Sequence, residues 1–366
     1  MTHDLGNVAI VGATGAVGRE ALSILESRQH PAEMIVPLAS ARSAGTHISY
    51  AGDSLLVRAI DAEAFNRTDF ALFCATAEVS RRWAHPAGRA GAVVIDNSSA
   101  FRLHDDVPLV VPEVNGEAIP PGCTLIANPN CSTIILLVAL NPLRARFGIE
   151  RIVVSTYQAV SGAGAAALSE LREQAAAVLA SGSVKPKVFH EPCAFNVFSH
   201  NSRVELDTGV NGEERKMIDE SRKIWADPSL SITPTCVRVP VFRAHTESVT
   251  VTISEPATES QVRAALSAGS GLRVVDDRAT NSFPTTLHAS EHDEVLVGRI
   301  RPDPSEVLAP DGNLQTLSPP DSQRVARTWC LLIAGDQIRK GAALNAIQIA
   351  DLVAARQRQN AQIAPS

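Results

Sequence analysis

The chain has 366 residues, 45% of them hydrophobic and 20% charged, enough for two ordinary cores of roughly 100 to 200 residues each. Its formal net charge is -6, and its Lys and Arg residues are scattered rather than gathered into a stripe, which argues against a nucleic-acid partner. The longest uncharged apolar run, Ile134 to Leu140, is far short of the roughly 20 residues that cross a bilayer, so no membrane association is expected.

The N-terminus leads straight into a strand and a glycine turn, without the basic and apolar regions of a signal peptide. The six cysteines, at 74, 123, 131, 193, 236 and 330, form no CxxC pair and no regular spacing. Neither a zinc cage nor a disulfide framework is signalled, and reduced thiols in a cytoplasm are expected. His288 and His292 flank Glu291 in a loop-like stretch without an evident third ligand, so no metal is expected.

In the first 130 residues, short apolar runs alternate with helix-like segments. Val8 to Val11, Met34 to Ala39, Phe70 to Ala75 and Ala92 to Asp96 read as strands of a parallel sheet with helices on both faces, a Rossmann-type α/β domain. After the first strand come Gly12, Ala13, Thr14, Gly15, Ala16, Val17 and Gly18, then a helical run from Arg19 to Ser27. Glycines at these places let the backbone turn, approach a pyrophosphate and pack helix on strand, while the helix N-terminus offers free N–H donors. The spacing is GxxGxxG rather than GxGxxG, but the strand before and the helix after point to a dinucleotide. The second strand runs into Ser40, Ala41, Arg42 and Ser43, with no Asp or Glu to hold a ribose 2′-hydroxyl. A guanidinium there suits a 2′-phosphate, which predicts NADP over NAD.

Asn128, Pro129, Asn130, Cys131, Ser132 and Thr133 lead into the apolar run IILLVAL, so Cys131 is expected where a loop becomes a buried helix. A helix N-terminus favours the thiolate, which makes Cys131 the candidate nucleophile. Cys74, Cys236 and Cys330 read instead as small buried hydrophobes inside apolar strands.

From about Ile149 the pattern changes to longer β-branched stretches: Ile152 to Thr156, Thr235 to Val241, Ser248 to Ser254 and Trp329 to Ala334. These predict an α+β domain with a largely antiparallel sheet, with a helix over Ala163 to Ala180. In the second of these stretches Cys236, Arg238 and Pro240 alternate with Val237, Val239 and Val241, which would turn Arg238 away from the core into a cleft. His245, in the loop that begins Phe242, Arg243, Ala244, is a candidate proton shuttle. Pro302 to Pro320 carries five prolines and reads as an exposed loop, and Gly341 to Arg356 has helical apolar spacing that suits packing on the first domain. The domains are placed at 1–132 with 342–366, and at 133–341.

At this point the residues carry a resemblance. Nine blocks stand in one order: GATGAVG at 12–18, DNSSAFR at 96–102, VPLVVPEVN at 107–115, NPNCST at 128–133, STYQAVSGAG at 155–164, EERK at 213–216, CVRVPV at 236–241, HTE at 245–247 and RKGAALNAIQIA at 339–350. Over nearly its whole length the chain resembles the bacterial aspartate-semialdehyde dehydrogenases. The resemblance implies Cys131 as nucleophile, His245 as acid/base and Gln158 as a group that orients the substrate. It implies Arg238 for the α-carboxylate, Glu213 for the amino group, and Arg102 with Lys216 and Asn130 for phosphate. For the cofactor it implies Ser161 and Gly162 beside the nicotinamide and Asn345 reaching in from the C-terminal segment.

The implied partners are aspartyl phosphate, aspartate semialdehyde, inorganic phosphate and NADP(H), in a homodimer or homotetramer built on the second domain. The implied reaction feeds lysine, methionine and threonine synthesis. Three features depart from the family's pattern: Cys74 to Glu78 in place of a glycine-containing loop near the cofactor, a longer proline-rich loop, and Gln337 for asparagine. The rival readings are an N-acetylglutamyl-phosphate reductase, which Glu213 argues against because an acetylated amine carries no charge, and a non-catalytic dinucleotide-binding paralogue.

Overall fold

The computed structural model describes residues 5–306 and 325–363. The chain packs as two compact units, one of Met1–Cys131, Lys223–Trp225 and Ile338–Ser366, the other of Ser132–Arg222 and Ala226–Gln337. The break after Cys131 falls one residue before the expected boundary, and the return at Ile338 precedes the expected 342. The short insert Lys223–Trp225 has no counterpart in the sequence-based boundaries.

The first unit carries a hairpin, β3 (His47–Tyr50) and β4 (Asp53–Leu56), and a six-stranded sheet. The sheet's strands are β1 (Val8–Val11), β2 (Ile35–Ala39), β5 (Arg58–Ala59), β6 (Phe70–Phe73), β7 (Val93–Asp96) and β8 (Leu125–Ala127), in the order β5-β2-β1-β6-β7-β8, and every pair is parallel. β1, β6 and β7 are buried at every residue, as uninterrupted apolar runs must be when both faces of a sheet are covered. Met34 belongs to a 3-10 turn, and Cys74 and Ala75 lie past the end of β6. The helices are α1 (Ala16–Ser27), α2 (Ala77–Arg89), the single turn α3 (Pro112–Asn115) and a C-terminal helix, Leu344–Ile363. One core joins Val8 and Ile10 to Leu22 and Leu25 of α1 and to Ile347, Ala350 and Val353 of the C-terminal helix.

The second unit is built on a seven-stranded sheet. Its strands are β9 (Ile149–Gln158), β10 (Phe198–Ser199), β11 (Ser231–Arg238), β12 (His245–Thr258), β13 (Leu272–Val274), β14 (Val295–Pro302) and β15 (Val325–Gly335). The order is β10-β11-β9-β12-β15-β14-β13, antiparallel except for the pairs β11–β9 and β13–β14. Against it lies α4 (Cys131–Phe147), buried at every residue from Ser132 to Leu140. A Cβ at Gly335 would meet Ile135 Cγ1 at 2.8 Å, so only glycine lets helix and strand come this close. α5 (Ala165–Leu179) and α6 (Gly212–Ile224) follow.

Two expectations are corrected here. β11 runs Ser231–Arg238 rather than 235–241: its first half aligns with Arg151–Ser155 of β9, and it stops short of Pro240, which has no N–H to offer a ladder. His245 opens β12 instead of standing in a loop. Of the proline-rich stretch, Pro302 closes β14 and Pro304–Glu306 forms a 3-10 turn; 307–320 lies outside the described residues.

The glycine turn shows why it is glycine. Gly12 has φ +90°, and a Cβ on Gly18 would sit 2.3 Å from Gly12 O and 2.8 Å from Ala13 Cα, both backbone atoms that cannot step aside. Gly18→Ala is therefore expected to destabilise the protein by about 1–3 kcal/mol, read as a lower urea midpoint, since the extra methyl must push α1 off β1.

Candidate active site

In the first unit, α1 has Gly15 at its N-cap position, with no side-chain cap and no acidic residue in its first turn. Its leading N–H groups and the positive end of its dipole remain for an anion, which fits the pyrophosphate expected over Gly12, Thr14, Gly15, Ala16 and Val17. Arg42 and Ser43 lie in the turn after β2; Arg42 is exposed and carries no ion pair among the described residues. Where Cys74 to Glu78 departs from the expected glycine-containing loop, Thr76 stands at the N-cap position of α2 without a side-chain capping bond, and Cys74 O packs 2.4 Å from where a Gly12 Cβ would be.

Cys131 is the first residue of α4 and is half-buried. Other thiols are disfavoured as thiolates by their surroundings. Burial and the nearby Asp96 push Cys74 up to about 12, and burial likewise raises Cys123, Cys193 and Cys236. Asn130 is buried beside it in the chain. Arg102, 8% exposed, donates from Nε to Asn128 O (2.9 Å) and from Nη2 to Asn97 O (2.8 Å). Lys223 Nζ braces the same segment through the carbonyls of Arg102, His104 and Val107. Asn345 is fully buried, gives both its amide hydrogens to the chain, one to Val110 O and one to Asn128 Oδ1, and accepts from Lys340 Nζ on its oxygen, so a single lone pair on that oxygen is its remaining capacity.

In the second unit, strand register gathers the other candidates. Arg238 is opposite Gln158, and one step beyond the Thr246–Tyr157 pair His245 comes alongside Gln158, with Gly335 on its far side. Arg238, Gln158 and His245 thus share one row on one face of the sheet. The first turn of α4 meets that row, because Gln158 Nε2 donates to Ser132 Oγ (3.0 Å) and also to Glu213 Oε1 (3.0 Å). Glu213, in the first turn of α6, takes Lys216 Nζ on its other oxygen at 3.0 Å. Lys216, expected with Arg102 on phosphate, is here the ion-pair partner of the expected amino-group ligand.

The expected orientation of Arg238 is overturned. Its face is the buried one: Arg238 is 3% and Cys236 1% exposed, while Val237 lies on the less buried side. The guanidinium tolerates this because distant segments meet it. Nη1 donates to Ala159 O (2.7 Å), Nη2 contacts His200 Nε2 (2.7 Å) and Asn201 Oδ1 (3.1 Å), and Phe189 lies under its plane. His200, Asn201 and Phe189 were not candidates, since no local motif marks them.

His245 is fully buried and its Nδ1 accepts the Ala159 N–H at 3.0 Å, which places the proton of the neutral imidazole on Nε2. Burial first, and then Arg238, hold its pKa down at about 3. Gly162 keeps this corner open: a Cβ there would lie 3.5 Å from Arg238 Nη1 and 3.7 Å from His245 Cε1. Ser161 Oγ accepts from Gln337 Nε2, and Gln337 Oε1 takes the Ala244 N–H at 2.8 Å, so Gln337 ties the Ser161 turn to the residue before His245.

Comparisons with known proteins identify the family. Family models match residues 7–120 as the semialdehyde dehydrogenase NAD binding domain and residues 140–308 as the semialdehyde dehydrogenase dimerisation domain. The aspartate-semialdehyde dehydrogenase of Synechocystis sp. is 44% identical over 349 residues, covering 95% of this chain and 97% of the relative. That of Aquifex aeolicus is 43% identical over 351 residues, covering 94% and 97%. The chain belongs to the aspartate-semialdehyde dehydrogenase family. Among solved structures, aspartate semialdehyde dehydrogenase II of Vibrio cholerae complexed with ASA matches with a TM-score of 0.85 at 42% identity, covering 96% of this chain and 98% of that one. The parallel-sheet unit is thus the family's NAD(P)-binding domain, and the mixed-sheet unit contains its dimerisation domain.

Beneath the row of Arg238, Gln158 and His245 lies a second, made of Cys236, Thr156, Glu247 and Ile333. Glu247 is fully buried, and neither carboxyl oxygen has a hydrogen-bond partner among the described residues; burial holds its pKa well above the ordinary 4.5. The folded carboxyl therefore keeps its proton above pH 4.5 while the unfolded one releases it, so this group costs stability increasingly as pH rises. Glu247→Gln, of equal shape and unable to ionise, should gain on the parent by up to about 1.4 kcal/mol per pH unit. Urea midpoints of both proteins from about pH 5 to 7 check this; a constant difference would mean that Glu247 is ionised in the folded state.

Proposed function

We propose that the chain is an NADP-dependent, phosphorylating aspartate-semialdehyde dehydrogenase that interconverts L-aspartyl 4-phosphate and L-aspartate 4-semialdehyde through an acyl-thioester on Cys131. The observation that carries this reading is the convergence of Arg238, Gln158, Glu213 and His245 at the first turn of the helix that Cys131 begins. A buried guanidinium and a carboxylate so placed match the two charged groups of an α-amino acid.

In the oxidative direction the Cys131 thiolate adds to the aldehyde carbon, forming a thiohemiacetal. Arg238 holds the α-carboxylate and Glu213 the ammonium. Gln158, fixed by Ser132 and Glu213, orients the substrate over the row. His245 gives a hydrogen bond from Nε2 to the oxygen on which charge develops. A carboxylate bound at Arg238 cancels the largest charge effect that holds the imidazole's pKa down, which moves His245 toward acid/base exchange at that same oxygen. NADP⁺, when bound, supplies the acceptor for the hydride that converts thiohemiacetal to thioester. Arg102, with Asn130 and Lys216, holds the phosphate that displaces the Cys131 sulfur and leaves as the acyl phosphate.

NADP rather than NAD is supported by Arg42, exposed after β2 where no carboxylate waits for a ribose hydroxyl. The same reading places the protein in the cytoplasm, in lysine, methionine and threonine synthesis, as a homodimer or a dimer of dimers. The assembly is supported by the matched dimerisation domain.

Purified protein given aspartate semialdehyde and NADP⁺ at alkaline pH is expected to form NADPH only when inorganic phosphate is present. Cys131→Ala should abolish turnover with the fold intact, and appreciable residual activity would rule out the thioester. Arg42→Ala should raise KM for NADP⁺ on the order of tenfold, the loss of one charge-assisted contact, and leave KM for NAD⁺ nearly unchanged. Equal effects on both cofactors would remove Arg42 from the 2′-phosphate site.

A further inference from the structure

Three asparagine side chains of the first unit form a line of hydrogen bonds that runs in one sense. Lys340 Nζ donates to Asn345 Oδ1 (2.9 Å), and Asn345 Nδ2 donates to Asn128 Oδ1 (2.7 Å). Asn128 Nδ2 donates to Asn97 Oδ1 (3.0 Å), and Asn97 Nδ2 donates to Phe73 O (3.1 Å). Every amide accepts on one side and donates on the other. The two ends dictate this sense, because an ammonium can only donate and a peptide carbonyl can only accept. Reversing any one amide would set N–H against N–H at one neighbour and oxygen against oxygen at the other.

Lys340 is itself held. It is fully buried and its Nζ meets Glu113 Oε2 (2.7 Å) and Gln348 Oε1 (2.7 Å), which compensate its charge. It stands in a π-helical turn, Arg339–Ala343, at the head of the C-terminal helix. The wider turn, with its i→i+5 hydrogen bonding, leaves Lys340 within reach of Asn345 Oδ1. Asn345 and Asn128 are 0% and 1% exposed, so water does not compete for their amides.

The line ends on chemistry. Its two inner members, Asn128 and Asn97, supply the backbone carbonyls that take Arg102 Nε and Nη2. Asn128 also stands three residues before Cys131, and its N–H is tied to Asp96 O at 2.8 Å. We propose that Lys340 is a positioning residue: through the directed line Asn345–Asn128–Asn97 it fixes the carbonyls that aim Arg102 and the turn that delivers Cys131. This rests on reading Arg102 as the phosphate ligand and Cys131 as the nucleophile.

The test uses the full-length protein and three variants. Asn128→Asp keeps the shape and the acceptor but loses the donor to Asn97, which breaks the line in its middle. Lys340→Met combined with Glu113→Gln removes the donor end without leaving a lone buried carboxylate. Arg102→Lys is the direct lesion. KM for phosphate, KM for the aldehyde, and the pH dependence of Cys131 alkylation by iodoacetamide are measured for each. Both line variants should raise KM for phosphate about tenfold while KM for the aldehyde changes much less, because Arg102 is misaimed and the Arg238 row is untouched. The midpoint of Cys131 alkylation should also move.

If the double variant does not fold, Asn128→Asp carries the comparison. If Arg102→Lys leaves KM for phosphate unchanged, it is the reading of Arg102 that fails, and the line is judged on Cys131 alkylation alone. Folded line variants with unaltered alkylation, and with unaltered phosphate KM where Arg102→Lys does raise it, would overturn the proposal.

Discussion

Taking a guanidinium out of water is costly unless partners replace the lost solvent, and supplying them to the two terminal nitrogens of Arg238 organises the polar layer of the second unit. Ala159, at the turn after β9, offers its carbonyl to Arg238 and its N–H to His245 Nδ1. One residue therefore orients both the carboxylate-binding candidate and the imidazole. His200 and Asn201 arrive from the segment around β10 to meet Nη2, and Gly162 keeps side-chain bulk out of the corner between them.

The same burial sorts charge from neutrality. His245, Glu247 and Cys236 lie on neighbouring positions of one sheet face, and each is driven toward its uncharged form by loss of solvent. Arg238 keeps its charge because guanidinium is never neutral, and Glu213 is supported by Gln158 and Lys216. The layer thus sets Arg238 and the Glu213–Lys216 pair against a neutral floor.

Much of this was legible in the sequence. Runs such as Val8 to Val11 and Val93 to Ile95 announce strands because they are short, rich in β-branched residues and bounded by turn residues, and GATGAVG announces its turn because no other residue has room at Gly12 and Gly18. Cys131 was found at a helix start because the signal is local, a polar proline-containing stretch followed by an apolar run. Arg238 was assigned to the wrong side of its strand for the opposite reason. An arginine defaults to solvent, and the residues that make its burial tolerable lie tens of positions away. His245 was read as a loop residue because the chain reverses around Ala244, at φ +67°, only one residue before the strand begins.

By itself the sequence determined the elements, the dinucleotide turn and the family, since these follow from short-range patterns of apolar residues, glycines and ordered motifs. Only the tertiary structure decided which groups share a row, which are neutral, and what Asn345 and Lys340 hold. Those facts depend on register between strands and on hydrogen bonds between residues as far apart as Asn345 and Asn128. A side chain's protonation and aim are set by the solvent it has lost and the partners that replace that solvent, and neither is written in its neighbours along the chain.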